Sequence, residues 1–245
     1  MHIFTIGKSR NQAAIDCLKM GNGKKSIMFN AAHHANEWIT TDILMKFIGE
    51  CAENYEKWRE KATLYFVPLV NPDGVKLVLT NPDKKDWKAN AAGVDLNSNY
   101  PANWKKAKKY KFSQGYKKPG SRDYVGKSPL SEPETQAMVN FTKENNFDLT
   151  LSLHTQGEVI YWQYMDYKPE GAEELAKRFS EVSGYALEEV PEESSHGGYR
   201  DWFIQEFNKP GFTIECGLGE NPLPITDFDE IYKKVAPILR EAVGF

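Results

Sequence analysis

The sequence predicts an α/β fold with helices on both faces of a sheet. Three features carry this: apolar runs rich in β-branched and aromatic residues, segments with apolar residues at helical spacing, and the steady alternation of the two. Strands that read as near-continuous apolar runs are buried on both faces, so the intervening helices must cover both sides. No internal repeat, linker or low-complexity tract interrupts the 245 residues, and the expected organisation is a single domain over 1–245.

The elements follow in order. KSIMFNAA (25–32) is a strand candidate, and the next segment, EWITTDILMKFIGECAENY, places Trp38, Ile39, Ile43, Phe47 and Ile48 at helical spacing. ATLYFVPLV (62–70) reads as a fully buried strand ended by a turn, NPDG (71–74), whose Pro and Gly preset turn dihedrals. From about 80 to 130 turn residues dominate and periodicity is weak, as expected of a functional loop region. In LSEPETQAMVNFTKENN, Ser131 stands three residues before Glu134, the spacing of a capping box at a helix start. FDLTLSLHTQG (147–157) is a strand running out at His154, and EGAEELAKRFSEVSG is a helix closed by Gly184. GGYRDWFIQEFN is a short amphipathic helix, PGFTIECG (210–217) a strand with Glu215 near its C-terminal end, and FDEIYKKVAPILREAV the last helix.

Composition narrows the function classes. With 31 basic and 34 acidic residues the formal net charge is −3, which gives no electrostatic case for nucleic acid or a membrane surface. The basic run NWKKAKKYKFSQGYKK (103–118) is expected to be a solvated loop. No window approaches the ~20 apolar residues of a membrane span. The N-terminus lacks the basic and apolar regions of a secretory signal. Cys17, Cys51 and Cys216 are scattered, odd in number and without C-x-x-C spacing, which fits buried free thiols in a reducing compartment. The expected location is therefore cytoplasmic, with no obligate protein partner evident.

Polar residues fall where strands end: His34 and Glu37 after the first, His154 after another, Glu215 after the last. In open α/β sheets ligands gather outside the carboxyl ends of strands. Each signal alone has an ordinary reading, since H-x-x-E can be a polar loop capping a helix and a lone histidine is usually structural. Together, two imidazoles and one carboxylate are the ligand set of a hydrolytic zinc site with an open fourth position. A further carboxylate outside that set can take a proton from water and pass it to a leaving amine. Glu215 lies in the apolar string FTIECG, where an unpartnered acid would be costly. His2, His33 and His196 keep structural readings.

HANEWIT, NPDG, GVDLN, LSEPET, LSLH and GFTIE, in this order, resemble the motifs of the zinc metallocarboxypeptidase family from about residue 3 to the C-terminus. The resemblance implies a three-layer α/β/α sandwich around a mixed, mostly eight-stranded twisted sheet. It also implies one zinc per chain held by His34, Glu37 and His154, with Glu215 activating a zinc-bound water. Lys88 in DWKAN stands where the family commonly has an arginine that polarises the scissile carbonyl, and Asn97 keeps a substrate-binding position.

The departures bear on substrate. Ser98 in DLNSNYP replaces the arginine that clamps a terminal carboxylate, and EESSHGG lacks the tyrosine expected before the Gly-Gly pair. HTQGEVIYW, GGYRDWFIQEF and ECGLGENPLP are instead similar to bacterial γ-D-glutamyl-L-diamino acid endopeptidases. These cut between the D-glutamate side chain and diaminopimelate in peptidoglycan stem peptides. Arg200 falls at the position lining the floor of the S1′ pocket, where a guanidinium suits the distal carboxylate of diaminopimelate. Glu158 is a candidate for that residue's ammonium. The implied substrates are stem peptides or muropeptide fragments, cut inside the cell because no LysM wall-binding repeat is present. The alternatives are a zinc carboxypeptidase releasing acidic C-terminal residues and a catalytically silent peptide-binding scaffold.

Overall fold

The computed structural model describes residues 1–191 and 195–244. The chain opens with three strands, β1 (His2–Lys8), β2 (Ala14–Gly21) and β3 (Lys25–Ala31), then helices α1 (Ile39–Glu53) and α2 (Tyr55–Trp58). Next come β4 (Ala62–Val67), α3 (Pro72–Thr80), α4 (Trp104–Ser113), α5 (Pro133–Asn145) and β5 (Leu149–His154). The last part holds β6 (Val159–Tyr161), α6 (Ala172–Ser183), β7 (Ala186–Leu187), α7 (Tyr199–Phe207), β8 (Gly211–Glu215) and α8 (Phe228–Val243).

Among the described residues eight strands join one mixed sheet in the order β1-β2-β4-β3-β5-β8-β6-β7. Its centre, β4-β3-β5-β8, is parallel; β1 and β2 pair antiparallel with their neighbours, and β6 is antiparallel to β8 but parallel to β7. Side-chain alternation along the central strands divides the core in two. Phe29, Leu64, Phe66, Leu151 and Phe212 pack under α1, α6 and α8. Met28, Tyr65 and Val67 pack under α5 and α7 on the opposite face. Each fully buried aromatic or aliphatic side chain contributes about 1.5–3 kcal/mol to this burial. The three layers agree with the expected sandwich.

The first two strands escape a reading by apolar runs because they form a half-exposed ribbon: β1 is mostly exposed, and β2 sets its buried Ile15, Cys17, Leu18 and Met20 among exposed or half-buried residues. NPDG, expected as a turn, is the start of α3. Pro72 occupies the first helical turn, where its missing N–H costs nothing, and the Asn71 side chain accepts from the Gly74 N–H at 3.0 Å. Asn71 Nδ2 also donates to the carbonyls of His33 and Ala89, so this cap joins the two loops that carry the site.

The basic run is not a solvated loop either. It contains α4, which buries Trp104, Ala107 and Lys111 while Lys105, Lys106 and Lys109 stay exposed. Nor does Glu134 close a capping box with Ser131. Pro133 fixes the first turn of α5, with Glu132 as cap, and Glu134 then accepts from the Arg10 N–H and Asn90 Nδ2. Among the described residues no helix is long and apolar enough to cross a membrane.

Candidate active site

The loop after β3 is folded tightly enough to aim two ligand candidates inward. Thr40 at the start of α1 donates to the Glu37 carbonyl at 2.7 Å and accepts from the Ala32 N–H at 3.1 Å, clamping the 3-10 turn Ala35–Glu37. His34 Nδ1 then lies 2.7 Å from Glu37 Oε1. His154, at the end of β5, brings its Nδ1 to 2.9 Å from Glu37 Oε2 and 3.2 Å from His34 Nδ1. One donor atom from each of the three buried side chains falls within 4.8 Å of the others. Burial pushes the Glu37 carboxyl up, but the two imidazoles win and hold it below its ordinary range. Burial lowers His154, whereas at His34 burial is outweighed by the Glu37 and Asp95 carboxylates together, which raise it.

This donor set fits zinc. Two imidazoles present the same ring nitrogen toward one carboxylate, and the far side of His34 is also held, since its Nε2 lies 3.2 Å from Asp95 Oδ1. Such a carboxylate behind a ligating histidine fixes the ring and raises its basicity. His154 Nε2 faces Asn97 Nδ2 at 3.4 Å, and Asn97 Oδ1 accepts from the Tyr199 N–H at 2.9 Å. Asn97 thereby links the third ligand candidate to the start of α7. His33 does not join the set: it is buried behind it with Nε2 2.8 Å from the Tyr100 hydroxyl. His196 lies against the Tyr164 hydroxyl and His2 is exposed, as structural readings require.

Glu215 reaches the same place through sheet register. In the β5–β8 pair His154 stands directly opposite Glu215. Desolvation first, and then the charge of Glu37, push the Glu215 carboxyl up to about 8. A carboxyl held near neutrality can both accept and return a proton.

Lys88 also arrives. Its backbone N–H donates to the Ser121 carbonyl at 2.8 Å and its carbonyl accepts from the Ala35 N–H at 3.0 Å, so the loop is stitched to the metal-site turn. Its Nζ lies 3.3 Å from Asp95 Oδ2, with the side chain 19% exposed. Burial alone would lower this amine, but Asp95, Asp123 and Glu37 together raise it and keep it charged. Ser98 is buried and lines the same cavity of about 650 Å³ as His34, Glu37, His154, Glu215 and Lys88. Gly197 packs on it with φ at +84°, and a Cβ there would meet the Ser98 carbonyl at 2.9 Å, so this contact requires glycine. Glu192, Glu193 and Ser194, where the expected tyrosine is missing, lie outside the described residues.

Arg200, on the first turn of α7, lines a smaller pocket with Asn97, Tyr161 and Glu215. It is 5% exposed and pairs through Nη2 with Asp201 Oδ1, while Nε has no partner. The Tyr161 ring lies 5.7 Å from the guanidinium carbon. Glu158 is taken elsewhere: its carboxylate pairs with Lys234 at 2.6 Å, so the ammonium role expected of it is replaced by a salt bridge.

Asp95 is the functional residue that motif reading left without a role. A buried acid in the string GVDLN was a usable signal, as it was for Glu215. The Lys111–Asp123 ion pair, at 2.6 Å beside the cavity, had no such signal, because it joins a helix to a loop across irregular chain.

A parallel-centred sheet with a His–Glu–His donor set and a buried carboxyl raised toward neutrality at adjacent strand ends is the arrangement of a metallohydrolase. The chain belongs to the zinc carboxypeptidase family, which matches residues 1–237. It is 40% identical over 262 residues to γ-D-glutamyl-L-diamino acid endopeptidase 1 of Lysinibacillus sphaericus, covering 95% of this chain and 65% of that protein. It thus spans somewhat under two thirds of that relative's length. Carboxypeptidase B of Rattus norvegicus is 27% identical over 87% of this chain and 56% of its own. Two solved structures share the fold. Bovine thrombin-activatable fibrinolysis inhibitor superposes with a TM-score of 0.82 at 21% identity, over 99% of this chain and 89% of that one. Murein-tripeptide amidase from Escherichia coli O157 gives 0.71 at 21% identity, over 100% and 92%.

Proposed function

We propose that this chain, as one domain over 1–245, hydrolyses the amide joining the γ-carboxyl of D-glutamate to diaminopimelate in peptidoglycan stem peptides or muropeptide fragments. The observation that carries this reading is Arg200. A guanidinium 5% exposed, with Nε unpartnered, lines a pocket shared with Glu215. It offers a charged donor to an anionic side chain on the leaving-group side of the bond. Ser98, at the position where the resemblance expects a carboxylate clamp, supplies no charge. The 40% identity to a relative named for this activity supports the same reading.

The roles are as follows. His34, Glu37 and His154 hold one zinc per chain, which when bound supplies Lewis acidity toward the scissile carbonyl. Glu215 takes a proton from the attacking water and returns it to the leaving amine. Lys88, kept charged by Asp95, offsets negative charge developing on the carbonyl oxygen. Asn97 orients His154, and Arg200 reads the diaminopimelate side chain. The pocket beside Arg200 measures about 40 Å³, so it must widen to admit that side chain. A cytoplasmic location belongs to this reading, supported by three buried free cysteines.

The deciding experiment incubates the zinc-loaded protein with L-Ala-γ-D-Glu-diaminopimelate and reads product masses. L-Ala-D-Glu and free diaminopimelate are expected. No cleavage there, with ready release of acidic C-terminal residues from ordinary peptides, would replace this reading with the acidic carboxypeptidase.

A further inference from the structure

The loop Ser121–Asp123 carries a cation into the large cavity that none of the roles above uses. Asp123 accepts from Lys111 Nζ at 2.6 Å through Oδ1 and from Arg122 Nε at 2.9 Å through Oδ2. The loop is fixed to the catalytic groups. Its Ser121 carbonyl accepts from both the Lys88 and Ala89 N–H groups, at 2.8 and 2.9 Å, and the Tyr124 carbonyl accepts from the Asp95 N–H at 2.8 Å. Lys88, Lys111 and Arg122 all line the cavity, as do Asp86 and Glu220. Among the cations, Lys88 is paired by Asp95 and Lys111 by Asp123. Arg122 is held only through Nε, its side chain 56% exposed, and its two terminal nitrogens have no partner among the described residues. A guanidinium gripped at one nitrogen presents the other two as a fork suited to a carboxylate.

Position assigns the fork to one side of the scissile bond. The large cavity and the Arg200 pocket share Asn97, Tyr161 and Glu215. Arg200 lines only the small pocket, whereas Lys88, Lys111 and Arg122 line only the large one. With the leaving residue directed to Arg200, the acyl residue occupies the cavity that holds Arg122. A γ-linked D-glutamyl residue differs from an ordinary α-linked one in carrying a free α-carboxylate on that acyl side. Resting on the function proposed above, we infer that Arg122, held by Asp123 and backed by Lys111, binds this α-carboxylate and selects γ-linked acyl residues.

The test uses the zinc-loaded protein and two tripeptides, L-Ala-γ-D-Glu-diaminopimelate and its analogue with the D-glutamate α-carboxylate converted to the carboxamide. In the parent, kcat/KM for the carboxamide should be lower by roughly 10- to 100-fold, the range of a hydrogen bond to a charged group. Arg122→Gln should bring the acid-to-amide ratio toward one, and Arg122→Lys should keep part of it. A purely structural role for Arg122 would lower both substrates in parallel, and that result overturns the inference. Equal cleavage of the two by the parent also overturns it, without any variant, and leaves the proposed function standing. A parent that cleaves neither tripeptide removes the function and this subsite together.

Discussion

Replacing Arg200 tests the substrate reading where the structure is most explicit. The side chain is 5% exposed and its Asp201 partner 1%, so the pair is desolvated before any ligand arrives. Truncating one member of a buried, hydrogen-bonded charge pair costs about 2–5 kcal/mol. At ~1.4 kcal/mol per factor of ten, kcat/KM on the diaminopimelate tripeptide should fall on the order of 10²–10³-fold in Arg200→Ala. Part of any loss will come from Asp201 left charged and unpaired. Arg200→Ala combined with Asp201→Asn removes that charge, while the asparagine oxygen can still accept from the Gly198 N–H, a bond of 3.1 Å in the parent. The readout is therefore a comparison of substrates rather than a rate. The lysine tripeptide lacks the distal carboxylate, so the parent should cleave it poorly and the variants should cleave the two substrates alike. Amidating the carboxylate at the L-centre of diaminopimelate should matter less, since Ser98 supplies no charge there. An unchanged preference for diaminopimelate in both variants would show that Arg200 does not read it.

Three further outcomes follow from the geometry. His34→Ala and His154→Ala should each lose the metal by elemental analysis, and full zinc occupancy in both would remove these residues from the ligand set. Glu215→Gln should retain zinc and fold while activity drops by at least ~10²–10⁴-fold, as for a general acid–base group; a variant as active as the parent refutes the assignment. Lys88→Ala should lower kcat on the order of 10²-fold. Lys88→Arg should restore most of it, and an unchanged kcat in the alanine variant would return Lys88 to a purely structural partner of Asp95.

What could be read from the sequence follows physical lines. The central strands were legible because burial on both faces leaves near-continuous apolar runs, as in Ala62–Val67. The edge pair β1–β2 was not, since a half-exposed ribbon alternates weakly and resembles loop. α4 was hidden by its own charge: five lysines in the helical run obscure the single apolar stripe of Trp104 and Ala107. His34, Glu37, His154 and Glu215 were found because each falls at or just after a strand end in a motif, but sequence alone gives no distance between them.

Register supplies that distance, and it explains why the site assembles as a unit. β3 and β5 run parallel with Ala31 opposite Leu153, and β5 and β8 run parallel with His154 opposite Glu215. Three adjacent parallel strands therefore end at one level, and whatever follows each strand meets the others without a long loop. A slip of one residue between β5 and β8 would turn Glu215 to the opposite face of the sheet, away from His154. The apolar alternation of Leu151, Leu153, Phe212 and Ile214, all fully buried, opposes that slip because it would move every one of these side chains out of its layer. The packing that stabilises the sheet is thus the same packing that holds Glu215 beside the ligand candidates. Lys88, Asp95 and Arg122 have no such frame. They are held by backbone hydrogen bonds between loops, from Lys88 to Ser121 and from Asp95 to Tyr124, so their placement depends on loop conformation and not on strand register.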